Sequence, residues 1–466
     1  MAYGYRRVVT FDLTPTAAQH DLAKRAHEFA SECIRPVAGH YDRAQEFPWP
    51  VLEEAARRGF YSPLFYRDLI GDPTGLSLPM FMEELFWGCA GIGLAIVMPA
   101  LALAAIGRAA TPAQMLRWAP ECFGSPGDLK LAALAISEPE GGSDVRNLRT
   151  RAVRDGDDWI IDGHKMWIGN GGIADVHVVN AVVDEDLGHR GQALFVVPGG
   201  SPGLELVRKL DKLGCRASHT AELKFNAVRV PMENLLGGVE RLEESLARKR
   251  EARGNGRPGS VTLGTFEQTR PMVAAQALGI ARAAVEYMSG YASRREAFGA
   301  PIIDNQAIAF PIADLATSID AARLLTWRAS WMAANGVRFE RGEGSMAKLA
   351  ASEVAVRATE QAIQTLGGWG YITDHPVEKW YRDAKLYTIF EGTSEIQRVV
   401  ISHALGAALD RPPLHVDLEP SGGSLSKLFG RGTVFRGRVA DAALNARDRV
   451  PVPVLNFASR VLRPPR

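Results

Sequence analysis

The chain has 466 residues, of which 46% are apolar and 23% charged, with 54 Lys+Arg against 53 Asp+Glu. That length supports two or three packed domains. A net charge of +1 gives no global field for a nucleic-acid backbone, so no nucleic-acid partner is expected, and 46 Gly with 27 Pro fall short of a low-complexity composition.

The N-terminus carries Arg6 and Arg7, then Asp12, Asp21 and Glu28, without the apolar core of a secretory signal; a cytoplasmic protein is the expectation. From Thr14 to about Ser125 apolar residues recur at helical spacing, as in Leu22, Ala26 and Phe29, which predicts an N-terminal helical domain over 1–127. Leu85 to Gly107 holds 23 residues without a charge, a span long enough for a bilayer. Gly88, Gly91, Gly93 and Pro99 interrupt it, so the prediction is a helix buried on all sides and broken near Pro99.

At Asp128 the texture changes to short β-type runs separated by Gly, Asp and Pro, among them Leu131–Ile136, Val176–Val179 and Ala193–Val197, predicting a middle β domain over 128–239. Residues 240–260 read as a basic, solvated loop insertion. Their Gly254, Gly256 and Gly259 satisfy G-x-G-x-x-G by letter, but a charged stretch precedes them and Pro258 interrupts them, whereas a dinucleotide fingerprint needs a strand before and a helix after. Helical spacing returns through Arg270–Ser293, Gln306–Asn335, Ser345–Leu366 and Ile396–Leu409, predicting a C-terminal four-helix bundle over 261–412. The tail, 413–466, is basic, with nine Lys/Arg against two Asp from Ser424 onward. It suits packing over its own fold or a dimer mate, or a peripheral contact with an anionic membrane or partner. Cys33, Cys89, Cys122 and Cys215 lie far apart with no C-x-x-C pair; reduced packing cysteines are expected, and no metal site.

The chemistry concentrates in a few segments. ISEPEGGSD (Ile136–Asp144) and KMWIGNGG (Lys165–Gly172) read as strand ends running into glycine-rich turns, where backbone N–H groups can converge on a flat, acceptor-rich ligand. These two, with Asp211–Gly237, Thr269–Ala284, Tyr291–Gln306, Gln364–Tyr371 and Val377–Arg398, resemble the acyl-CoA dehydrogenase family in order and spacing, over about residues 12–410. The resemblance implies an α+β fold: an N-terminal helical domain, a middle β-barrel or sandwich, and a C-terminal four-helix bundle. It also implies bound FAD, an acyl-CoA substrate, electron-transferring flavoprotein as the acceptor, and a homotetramer, or else a homodimer, in which each flavin meets two subunits.

By that resemblance Glu391, in FEGTSEIQ, corresponds to the catalytic base, since a thioester α-hydrogen is a weak acid that needs a carboxylate in a site without bulk water. Read without the family, a Glu between Phe390 and Gly392 is a carboxylate at the start of a helix, with Thr393 and Ser394 as caps. Ile136 and Ser137 correspond to contacts on the pyrimidine end of the flavin, Leu134 and Gly142 to further cofactor contacts, and Ser143 to a residue near both pyrophosphate and CoA. Trp167, followed by Ile168 and Gly169, corresponds to the aromatic packed on the ring. Arg295, Phe298 and Gln306 match residues reaching the neighbouring subunit's FAD, and Gln364, Leu366, Gly367, Gly368, Thr393 and Glu395 fit the adenosine side. Glu267, Arg270, Phe390 and Gly392 fall on the substrate side. Three departures stand out. Gly169 replaces a common Thr or Ser hydroxyl beside flavin N5, Ala297 replaces a hydroxyl residue in the diphosphate segment, and His403 stands where some relatives have an arginine near the CoA. Two further readings stay open: an acyl-CoA oxidase using oxygen, recognisable by peroxide, and a diverged member binding DNA or a membrane through its tail.

Overall fold

The computed structural model describes residues 12–145, 147–251 and 261–409, with the backbone alone for 261–268 and 407–409. The first layer is helical: α1 Ala17–Phe29, α2 Ala38–Ala44, α3 Trp49–Arg57, α4 Pro63–Ile70, α5 Ser77–Gly88, α6 Ala90–Ala109 and α7 Pro112–Glu121. Capping boxes start α1 and α7: Thr16 with Gln19, and Thr111 with Gln114. In each the N-cap hydroxyl and the third-position amide satisfy the two backbone donors that helix geometry leaves open. The charge-free stretch is not broken at Pro99. The chain breaks at Cys89, in extended conformation between α5 and α6, and α6 runs through Pro99 intact. Just before the break Gly88 packs so close to Ile34 that a Cβ there would lie 3.0 Å away, and burial of α6 outweighs the one N–H that Pro99 lacks. α6 is long and apolar enough to cross a membrane, but it is largely buried within the fold.

The middle layer begins with the hairpin of β1 (Gly124–Ser125) and β2 (Asp128–Leu129). A seven-stranded curled sheet follows: β3 Ala132–Ala135, β4 Arg151–Asp155, β5 Asp158–Gly169, β6 Val176–Val182, β7 Gln192–Pro198, β8 Leu204–Lys209 and β9 Thr220–Pro231. Its order is β3-β6-β4-β5-β9-β8, with β7 on β6. β3 lies parallel to β6, while β9 lies antiparallel between β5 and β8. Every residue of β6 is buried, which explains its uninterrupted apolar run. β4, an exposed strand, gave no such signal in the sequence.

Residues 239–251 are not a loop. Val239–Glu251 forms α8, in which Val239, Leu242 and Leu246 occur at helical spacing; Val239 and Leu242 pack against the core and Leu246 is buried. Three apolar residues on one stripe are enough to seat a helix whose other faces are charged. Residues 252–260 and the tail 413–466 lie outside the described residues.

The last layer holds α9 Val261–Ala292, the hairpin of β10 (Glu296–Ala297) and β11 (Ala300–Pro301), α10 Gln306–Ala334, α11 Glu343–Leu366, α12 Gly368–Tyr371, α13 Val377–Leu386 and α14 Ser394–Leu409. α9, α10 and α11 pack mutually and α14 packs on α11. α5 crosses α9 so closely that a Cβ on Gly279 would sit 2.3 Å from the Glu83 carbonyl.

Candidate active site

Strand β5 prepares one wall. Its pairing with β9 slips between Lys165 and Ile168, a bulge that re-aims the local side chains. Trp167 takes a left-handed backbone (φ 61) and stands 54% exposed, a strained geometry for a large aromatic. A Cβ on Gly142 would lie 3.7 Å from the Trp167 ring, so the loop after β3 comes up beside it. That loop is held from below. Met166 N donates to the Ser137 carbonyl (2.9 Å), and the fully buried Lys165 donates to the Ile136 carbonyl (2.9 Å) and to Glu138 (2.9 Å). Glu138 also accepts from Thr150 N–H, Thr150 hydroxyl and Arg149 N–H. Burial pushes Lys165 down to about 8. Burial would likewise raise Glu138, but Lys165 and Thr150 hold its carboxyl below the usual range. Ser143 and Gly142 are exposed, Leu134, Ile136, Ser137 and Gly169 half-buried, and Ile168 buried. The absence of a side chain at Gly169 has a packing cause: a Cβ there would meet the Met98 thioether of α6 at 2.8 Å.

The second wall is the turn between α13 and α14. Glu391 has φ 54 and Gly392 φ 91; two successive left-handed residues fold the chain back on itself, and Gly392 also leaves room for Gln397, whose Nε2 would be 2.7 Å from a Cβ. Gln397 Nε2 donates to the Glu391 carbonyl (3.1 Å) and the Gly392 carbonyl (2.8 Å). Lys348 of α11, fully buried, donates to the same Gly392 carbonyl (2.7 Å). The Glu391 side chain does not cap α14. It accepts a hydrogen bond from Thr269 Oγ1 (3.0 Å), while Thr393 Oγ1 caps α14 by accepting from Ile396 N–H and the Ser394 hydroxyl is buried without a partner among the described residues. Burial raises the Glu391 carboxyl above its ordinary value, against the opposing pull of Thr269, Arg270 and Lys348. Arg270 is buried and donates to Ser345 (2.8 Å). Phe390 stands edge-on to the buried Tyr387 (5.1 Å), and Glu395 is exposed. The Glu267 side chain lies outside the described residues.

A third group gathers elsewhere. Arg295, Leu366, Gly367 and Gly368 line an open groove of about 520 Å³ with Tyr291, Trp369 and Ile372, a lining that includes neither Glu391 nor Trp167. Gln306, Gln364 and Phe298 are exposed, Phe298 at the tip of the β10–β11 hairpin. Ala297 is half-buried in that hairpin, and His403 is exposed on α14.

The acyl-CoA dehydrogenase N-terminal, middle and C-terminal domain families match residues 16–125, 133–228 and 259–406. The mitochondrial short-chain specific acyl-CoA dehydrogenase of Bos taurus is 39% identical over 405 residues, 86% of this chain and 93% of the relative. The chain belongs to the acyl-CoA dehydrogenase family. Its fold matches butyryl-CoA dehydrogenase from Megasphaera elsdenii with a TM-score of 0.74 at 33% identity, over 86% of this chain and 100% of that one. A structure described as the electron transferring flavoprotein of Acidaminococcus fermentans matches equally, with a TM-score of 0.74 at 34% identity over 84% of this chain and 99% of that one. This family member is an FAD-dependent oxidoreductase.

The residues present fit FAD. Trp167 offers an exposed aromatic face beside the backbone of Gly142, in the loop that also carries Ser137 and the exposed Ser143. In the groove, nothing lies within 4 Å of a Cβ built on Gly367 or Gly368, so bare backbone and the Arg295 guanidinium are open to an anionic, hydroxyl-rich ligand. Thr269, Lys165, Glu138, Lys348 and Gln397 were not singled out by the sequence reading. Lys348 had a signal: it falls in register with Ala351, Ala355 and Ala358 on the buried stripe of α11, where a lone lysine is conspicuous.

Proposed function

We propose that this enzyme desaturates acyl-CoA thioesters between the α and β carbons, with Glu391 as the base that takes the α-proton. The observation that carries this reading is the Glu391 carboxyl itself, set in a strained turn, bonded to Thr269 and made more basic by burial. A base tuned upward toward the working pH is a better proton acceptor than an ordinary carboxylate. Thr269 orients one carboxylate oxygen, and the Arg270 and Lys348 charges keep the group ionisable in a dry site. The Glu391 N–H is suited to donate to the thioester carbonyl and to stabilise enolate charge as the proton leaves. Trp167, Ile136, Ser137, Gly142 and Ser143 would hold the flavin, with Arg295, Gln306, Gln364, Gly367 and Gly368 holding that of an adjoining subunit in a homotetramer. Bound FAD supplies the acceptor for the β-hydrogen with its electron pair.

Short, linear acyl chains are the proposed substrates, supported by the short-chain and butyryl-CoA relatives, and electron-transferring flavoprotein is the proposed acceptor, supported by the match to a structure described by that name. Glu391→Gln should retain yellow, bound flavin and lose its bleaching by butyryl-CoA by roughly a hundredfold or more. Unchanged bleaching would remove Glu391 from the reaction. Rates across a series from short to long acyl-CoAs should fall with length, and a flat profile would overturn the short-chain assignment.

A further inference from the structure

Beneath the Glu391–Gly392 turn lies a charge that the scheme above does not require as a reacting group. The Lys348 ammonium is fully buried, and its hydrogen bond goes to the Gly392 carbonyl at 2.7 Å. No carboxylate lies within salt-bridge distance of it among the described residues. The other buried lysines differ: Lys165 touches Glu138 and Lys379 touches Asp383. Burying an ammonium without a contacting anion is costly, and a carbonyl bond alone could be supplied by a neutral donor, as Gln397 already does for the same oxygen at 2.8 Å. The charge therefore has a use beyond the hydrogen bond.

We propose that Lys348 is a positioning residue for the base: its ammonium fixes the left-handed Glu391–Gly392 turn and favours the ionised form of the Glu391 carboxyl from behind. The inference rests on Glu391 being the base. The groups that face Lys348 are Glu391 on the turn, Arg270 on α9 and Glu395 on α14, and Glu391 is the foremost of the charges pulling its proton affinity upward, against a burial that brings it down to about 8. The coupling is reciprocal, since Lys348 also lowers Glu391. The sign follows: removing the cation makes Glu391 harder to ionise, so the acid limb of the reaction moves to higher pH.

The test is the pH dependence of flavin reduction by butyryl-CoA in single turnovers of the holoenzyme. Lys348→Met should shift the acid midpoint up by about one pH unit, about tenfold in rate below the midpoint. Lys348→Arg, which keeps the charge, should bring the midpoint back toward the parent value. Gln397→Met, which removes the neutral donor to the same carbonyls, should slow the reaction with the midpoint in place. Lys348→Met that slows reduction equally at every pH would overturn the proposal in favour of a purely structural prop. A second readout needs no turnover: at pH 8 the thermal cost of Lys348→Met should shrink in the Glu391→Gln background, and additive effects would count against the coupling. If Lys348→Met alone does not fold, the double variant decides, because recovery by Glu391→Gln supports the charge pairing and no recovery overturns it. Bleaching that survives Glu391→Gln would defeat the base itself, whereas its loss together with an unmoved Lys348→Met midpoint would defeat only the positioning role.

Discussion

Two sets of desolvated carboxylates in this protein have opposite fates. On α5, Glu83 is gripped by Arg323 through both oxygens (3.0 and 2.8 Å) and by Arg282 (3.2 Å). Its neighbour Glu84 takes Arg282 as a two-pronged partner and His27 at 2.8 Å. Burial would raise both carboxyls, yet the arginines pull Glu83 below its ordinary value and Glu84 down to about 2. Glu391 is half-buried, the Thr269 hydroxyl donates to its carboxylate, no arginine or lysine lies within salt-bridge distance of it among the described residues, and desolvation takes its carboxyl up. The first arrangement locks α5 to α9 and α10 and weakens the carboxylates as proton acceptors; the second leaves a carboxylate better able to accept a proton, as the proposed role of Glu391 requires. The difference is whether an arginine reaches the carboxylate.

The contrast can be broken most severely at Glu391. Glu391→Gln should cut single-turnover flavin reduction by roughly a hundred- to a thousandfold, while the same change at Glu84 should leave the rate per folded, flavin-loaded molecule close to that of the parent.

Stability should answer in the reverse order. Glu83→Ala removes the two-pronged buried partner of Arg323, which keeps only Asp320, and one of the carboxylates of Arg282, which keeps Glu84, and should cost about 3 kcal/mol, read as a drop in denaturant or thermal midpoint. Gly169→Ala should cost about 1–3 kcal/mol by driving a Cβ into the Met98 thioether, and pairing it with Met98→Ala should relieve part of that loss. Retention of full stability by Gly169→Ala would show that Met98 yields.

The smallest effects concern pH. The depressed Glu84 carboxyl contributes stability that is present above its unfolded value and lost as pH falls through about 2; Glu84→Gln should therefore flatten the acid decline in Tm from about pH 4.5 downward. Glu391 works the other way. Its raised carboxyl contributes stability that is present below the unfolded value and lost as pH rises through the folded one. Glu391→Gln should accordingly raise Tm at pH 8 by roughly 1–2 °C, and a fall there would contradict the assignment of burial as the dominant cause.

The layers were legible because their signals are local. The apolar stripes of α1 and α9, the unbroken run of β6 and the glycine-rich ends of β3 and β5 depend on residues close in sequence. Failures fell where a distant contact decides. α8 is seated by Val239 and Leu242 against the core and by the buried Leu246, a thin stripe in a charged segment. The break between α5 and α6 sits where Gly88 meets Ile34, not at the proline. At the site, Glu391, Trp167 and the Gly367–Gly368 turn stood out as motif positions, but Thr269 and Lys348 reach the Glu391–Gly392 turn across more than forty residues of chain, and a strand or helix pattern carries no trace of such partners.

By itself the sequence marked most of the helices and strands, because periodicity is a property of neighbouring residues, and its motif blocks carried the family resemblance that implies FAD and singles out the Glu391 turn. Tertiary structure decided the proton affinity of Glu391, the exposure of Trp167 on its bulge and the glycine at 169. Each is set by what lies opposite in space, and dielectric, charge and packing act through distance, not through position along the chain.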